Sequence, residues 1–142
     1  MLRSTLSTDT STTTMLIRMM VGVVFLSEGI QKFLFPAARG GGRFAKIRLP
    51  NPEFLGSFVG TFEAISGILI LLGLFTRLAA IPTLIIMLVA IATTKYAILQ
   101  DQGFWEMMHG TRTDWSMLLG SIFLIIRGGG AWSLDSKFSG NA

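Results

Sequence analysis

Four apolar blocks follow one another along the chain, separated by short polar punctuation. The first covers residues 15–35 and Pro36 ends it. Twenty-one helical residues rise about 32 Å, enough for a hydrocarbon core of about 30 Å. The second block covers residues 54–75, with Thr76-Arg77 at its exit, and the third covers 78–99. Pro82 is placed in the first turn of the third, where a missing N–H is tolerated. So few residues join these two blocks that they predict an antiparallel hairpin. The fourth block is purely apolar only over residues 115–126, about 18 Å of helix. To cross a bilayer, its helix is predicted to begin nearer His109 and to carry Arg112 and Asp114 into the interface or the bundle interior. The pattern predicts an all-α integral membrane four-helix bundle over residues 15–127, with both termini on one side.

The flanks are polar. Residues 1–14 are mostly Ser and Thr and predict a disordered tail. They lack the apolar core of a signal peptide, and Glu28 and Lys32 inside the first block argue against a cleaved one. The loop over residues 37–52 has a glycine triplet, four basic residues and two prolines. Its middle, 43–49, predicts a short interfacial segment. After Arg127, three glycines stop the helix and residues 128–142 read as a polar tail, in which Ser133 can cap a turn over 134–138.

Composition agrees with a bilayer location. Charged residues make up 14% of the chain, against roughly 25% in an ordinary soluble domain, and mean hydropathy is +0.61. The cell membrane follows as the location, with several passes; in a Gram-negative cell this is the inner membrane. The net charge of +4 does not indicate nucleic acid, because no basic stripe with interleaved aromatics is present. Arg18, Lys32, Arg77, Lys95 and Arg127 stand at block ends, as charges that snorkel to lipid headgroups do. The tail side carries five Lys/Arg and the other side seven, too even a division to orient the chain by the positive-inside rule. There is no cysteine and one histidine. That composition excludes a disulfide, a thiol relay, a Cys-ligated iron–sulfur cluster, a Cys-based zinc site and a bis-histidine haem within the chain. One His with scattered acids gives no metal-ligand spacing either. A redox role would need an organic cofactor, a quinone or a partner subunit, and no covalently bound cofactor is expected.

Three groups of residues could carry chemistry. Glu63 lies mid-span in the second block, on a stripe with Gly56, Gly60 and Gly67 along which another helix can approach closely. A carboxylate at that depth should face protein. It reads either as an interhelical glue residue or as a proton-carrying or ligand-binding acid. Glu28 and Lys32 are four apart, the order of a helix ion pair, on an arc with Arg18, Gly22, Phe25 and Gly29. A structural salt bridge is one reading and contact with a ligand head group the other. His109, with Glu106, Arg112 and Asp114, precedes the fourth span between Trp105 and Trp115. These groups read either as solvated surface or, for His109, as a hydrogen-bond donor to a quinone carbonyl. Any ligand site is expected on the side of the two long loops, bounded by Lys32, Lys95, His109 and Asp114.

Taken in order, the motifs resemble the DoxX family of four-helix membrane proteins. The first span reads Arg18-x3-Gly22-x2-Phe25-Leu26-x2-Gly29-x2-Lys32, and the second reads Glu63-x3-Gly67, then Leu72-Gly73-Leu74-x-Thr76-Arg77-x-Ala79-Ala80. A glycine run then leads into Ser133-Leu134-Asp135, similar to that family's closing signature. The resemblance implies a subunit or anchor of a membrane oxidoreductase that binds quinone, with a soluble or membrane redox subunit or a second copy as partner. Lys95 stands where many members carry a histidine and Asp114 where they carry a glutamate. Two other classes stay open. One is a small proton-coupled exporter using Glu63, although such exporters tend to be shorter with the acid in the first span. The other is a structural membrane assembly factor.

Overall fold

A computed structural model describes residues 6–139. Among these the chain is helical, without strands: α1 (Thr14–Leu34), α2 (Pro36–Arg39), α3 (Gly41–Lys46), α4 (Pro52–Leu72), α5 (Thr76–Ala90), α6 (Tyr96–Gln102), α7 (Phe104–Arg127) and α8 (Leu134–Ser139). A π-helical turn, Ile91–Lys95, joins α5 to α6, so that Thr76–Gln102 is one continuous rod of 27 residues. Three helices are long and apolar enough to cross a bilayer, Thr14–Leu34, Pro52–Leu72 and Thr76–Gln102. The fourth rod, α7, has 24 residues and concentrates its charges in its first half. It starts at Phe104, earlier than the expected start near His109. The third rod likewise outruns its expected end at residue 99. Pro82, expected in the first turn, stands at the seventh position of α5, where it removes a backbone bond to the turn before it.

α1 packs most extensively on α4, and α5 on α7. Small residues explain the first pair. A Cβ on Gly29 would lie 2.5 Å from the Ala64 backbone nitrogen, and one on Gly67 would lie 2.5 Å from that of Leu26. Only glycine admits so close an approach of two backbones. The second pair uses polar contact: Thr83 Oγ1 and Ser121 Oγ lie 2.8 Å apart, fully buried. A core of Val21, Phe25, Ile70, Ala79, Ala80, Met117 and Leu124 unites the pairs. The predicted inner arc of α1 holds: Arg18, Gly22, Phe25 and Gly29 are buried, whereas Val23, Ile30 and Leu34 are exposed to the lipid side.

The α4–α5 hairpin turns at Gly73, whose φ of 66° is left-handed. Its N–H bonds Ile70 O at 3.1 Å and the Leu74 N–H bonds Leu69 O at 2.9 Å, the paired closure of a helix C-terminus. Phe75 follows with a φ of 49°, a conformation that a bulky residue adopts only under constraint. The constraint is Asp135, whose two carboxylate oxygens accept the N–H groups of Phe75 (2.7 Å) and Thr76 (2.9 Å). An acid 60 residues away thus caps the first turn of α5.

Arg18 completes this end. It was expected to snorkel to headgroups, but it is 4% exposed. Its guanidinium donates to the carbonyls of Ile70 (3.0 Å), Leu71 (2.9 Å), Gly129 (2.9 Å) and Trp132 (2.6 Å). Those acceptors lie at the α4 terminus and in the glycine loop, where a helix end leaves carbonyls short of partners; Ile70 O shares its acceptance with the Gly73 N–H. Arg77, also read as a headgroup anchor, donates to Ser7 O (2.8 Å) and Ile125 O (2.9 Å). Ser133 caps α8 as expected, accepting from the Ser136 N–H at 3.1 Å.

Residues 6–13 run along the same end. The Asp9 N–H bonds Arg127 O at 3.1 Å, Ser11 O accepts from Ala131 N–H at 3.2 Å, and Asp9 pairs with Arg127 at 2.5 Å. Residues 1–5 of the expected tail, and 140–142, lie outside the described residues. The two ends of the described chain therefore meet on one side of the bundle, with the α4–α5 hairpin between them.

Candidate functional site

The other end of the bundle is organised around space. Beneath α2 and α3, between the α1/α4 pair and the α5/α7 pair, lies a cavity of about 530 Å³. That volume falls in the range of small-molecule sites. Its walls are largely apolar, with Phe25, Phe58, Val59, Ile86 and Met117 among them, and seven of its ten polar side chains are charged, the others being Thr93, Thr94 and Thr113.

The first charged group is welded into the α1/α4 pair. Lys32 Nζ lies 2.6 Å from Glu63 Oε2, with both side chains under 10% exposed. Gly60 makes this possible, because a Cβ there would meet Lys32 Cβ at 3.1 Å. Lys32 was read as the partner of Glu28 along its own helix. The structure instead pairs it across helices, and Glu28 faces Arg39 of α2 at 3.8 Å. The physical reason is burial: an ammonium inside the bundle needs a carboxylate at the same depth, and Glu63 is 3% exposed whereas Glu28 stands on the open side. Among the described residues, the Lys32 ammonium is the one close partner of the buried Glu63 Oε2.

The second charged group belongs to the other pair. Lys95, at the end of the π-helical turn, donates to Gly110 O at 2.7 Å and pairs with Asp114 at 3.0 Å. Lys95 was expected to snorkel; its side chain is only 13% exposed and is turned onto α7. The extra residue of a π turn shifts the register of the turns after it, a device frequent at functional sites. On the α7 side, Thr111 is fully buried and its hydroxyl bonds the carbonyl of Met107.

Glu28, Lys32, Glu63, Lys95 and Asp114 all line this one cavity. His109 does not: it is exposed on α7, and its carbonyl accepts from Arg112 at 2.7 Å. Trp105 is 81% exposed and lies outside the lining as well. Arg39 and Arg43 of the roof were missed as site residues. The available signal was Phe44 and Ile47 between basic residues, an amphipathic pattern that turns one face of the segment inward. Among the described residues, no group of His, Asp and Glu has the arrangement of a metal site.

Chemically, the cavity offers ammonium and guanidinium donors to a ligand oxygen, a buried carboxylate acceptor, and apolar walls for a ring. A DoxX family model matches residues 13–96. An uncharacterized membrane protein of Mycobacterium tuberculosis is 52% identical over 132 residues, which covers 89% of this chain and 81% of that protein. An uncharacterized protein of Haemophilus influenzae is 32% identical, over 86% of this chain and 87% of its own length. A Bacillus subtilis protein named "Putative oxidoreductase CatD" is 29% identical, over 86% of this chain and 84% of its own. No solved structure matches the chain.

Proposed function

The chain belongs to the DoxX family of membrane proteins, and on that footing we propose that it is the quinone-holding membrane subunit of an oxidoreductase. The observation that carries this reading is the cavity itself, bounded by the Lys32–Glu63 and Lys95–Asp114 pairs and walled by Phe25, Phe58 and Met117. The name of the Bacillus subtilis relative points the same way.

A quinone head asks for few things: a slot for a flat ring, donors at its two carbonyl oxygens, and a route for protons on reduction. Lys95 of the π-helical turn and Arg43 of the roof can donate to carbonyl oxygens. Each strengthens its bond because the donor is charged. Glu63, whose carboxylate has Lys32 as its close partner and lone pairs to spare, is suited to accept from the hydroxyl of the reduced ring. Quinone takes up two electrons and two protons to become quinol. With no cysteine and a single histidine, the chain's own side chains supply proton exchange and positioning. The electrons come from a partner subunit, soluble or membrane-bound. The apolar tail of the quinone passes to the bilayer.

The test is photolabelling. Purified protein is mixed with a photoreactive quinone, irradiated and mapped by peptide mass. Labels on the late half of α1, on α2–α3, on residues 85–95 and on the first half of α7 are the expected result. Labels confined to residues 6–13 and 127–139, or no labelling above a lipid control, would overturn the reading.

A further inference from the structure

The cavity is charged asymmetrically, and its charge selects a form of its ligand. Four cations line it, Lys32, Arg39, Arg43 and Lys95, against three carboxylates, Glu28, Glu63 and Asp114. These seven are the charged groups facing the space from α1, α2, α3, α4, the π-helical turn and α7. Each carboxylate has a cation of its own: Glu63 with Lys32, Asp114 with Lys95, Glu28 with Arg39. Arg43 is left over. Its side chain is half-buried in the roof and makes no ion pair or hydrogen bond among the described residues; its field reaches Glu63, which Lys32 already pairs.

We infer that the site is built for a ligand bearing a negative oxygen, an acidic hydroxyquinone or a deprotonated quinol, with Arg43 as the group that selects it. This rests on the quinone reading above and names the class of quinone. Arginine stays charged at any physiological pH and presents several N–H donors in one plane. Held over an apolar slot, its field is weakly screened compared with that of a surface cation. A neutral ring gains a hydrogen bond from Arg43, whereas an anionic oxygen gains a charge-assisted bond and neutralises the one uncompensated charge. The three existing ion pairs do not have to open. A cationic ligand would meet the opposite balance and be excluded.

The experiment compares two rings of nearly the same shape, 2-hydroxy-1,4-naphthoquinone, which is ionised at neutral pH, and 1,4-naphthoquinone, which is not. Binding to the purified full chain is measured by calorimetry in mild nonionic detergent at pH 7, and the absence of cysteine removes thiol addition as a side reaction. The ionised ring is expected to bind about tenfold tighter or more, tenfold corresponding to about 1.4 kcal/mol. Arg43→Gln should erase that preference, weakening the ionised ring about tenfold more than the neutral ring, which loses only an ordinary hydrogen bond. Lys46→Gln removes the same charge from the exposed face of α3, outside the cavity lining, and should leave the preference intact. Equal binding of the two rings overturns the inference and leaves the quinone reading standing. So does a preference that survives Arg43→Gln or falls equally with Lys46→Gln. If neither ring binds, the quinone reading fails and the inference with it.

Discussion

The two ends of this bundle use their buried charged groups in opposite ways. At the tail end, Arg18 and Asp135 are spent on backbone: one satisfies four carbonyls, the other two N–H groups. The closure itself is tight, since a Cβ added at Gly129 would meet Thr76 Oγ1 at 2.8 Å, and the space at this end is a more open groove of about 540 Å³ between Leu72 and Lys137 that neither Arg18 nor Asp135 lines. At the long-loop end, the charges face one another across side chains and surround a cavity of about 530 Å³. Charges that close onto backbone build a fold, because their partners cannot leave. Charges paired side chain to side chain beside a cavity can exchange a partner for a ligand.

Substitutions sharpen this contrast, beginning with the closed end. Arg18→Met is expected to lower unfolding stability by about 3–5 kcal/mol, since it strands several buried carbonyls whose bonds to a charged donor are each worth about 1.5–3 kcal/mol. Reversible unfolding in mixed detergent micelles measures it, and a loss under 1 kcal/mol would mean that the closure contributes little. Glu63→Leu comes next, at about 2–4 kcal/mol, because it leaves the buried Lys32 ammonium uncompensated. The double change Lys32→Met with Glu63→Leu should recover much of that loss, and additive losses would show that the pair is not coupled. Gly67→Ala should cost about 1–3 kcal/mol by pushing α1 off α4. A helix pair that tolerates it without loss is not packed backbone to backbone. Arg39→Gln should be nearly silent, under about 0.5 kcal/mol, because its pair with Glu28 is 3.8 Å long and largely exposed. A large effect there would place Arg39 among the structural charges.

The sequence exposed the frame of this arrangement more fully than its wiring. Apolar block lengths gave the spans, and the glycine stripe beside Glu63 identified that residue as facing protein. The inner arc of α1 followed from helical periodicity alone. What failed was partner choice. Spacing of four residues made Glu28 the natural mate of Lys32, since sequence distance reports neighbours on one helix and is blind to the helix next door. Arg18 read as a headgroup anchor because it stands at a block end. Its place on the same arc as Gly22 and the polar Ser133-Leu134-Asp135 after a glycine run were the clues to a buried role. The π-helical turn had no local signature in Ile91–Lys95, so the inward aim of Lys95 was visible only in three dimensions. Pro82 is a similar case: it stands in the interior of α5 because the helix begins at Thr76, two residues before the apolar block.

The separation of roles between the two ends is tested most directly by ligand-linked stabilisation. A ligand that binds the folded state raises its stability in proportion to the logarithm of ligand concentration. Thermal unfolding of the purified chain is followed at increasing concentrations of a short-chain quinone, for the unaltered protein, for Lys95→Gln at the cavity and for Arg77→Gln at the tail end. The expected result is a rise in Tm with quinone for the unaltered protein and for Arg77→Gln, the latter from a lower starting Tm, and a flat response for Lys95→Gln. A rise that persists in Lys95→Gln but vanishes in Arg77→Gln, or no rise in any of the three, would contradict it.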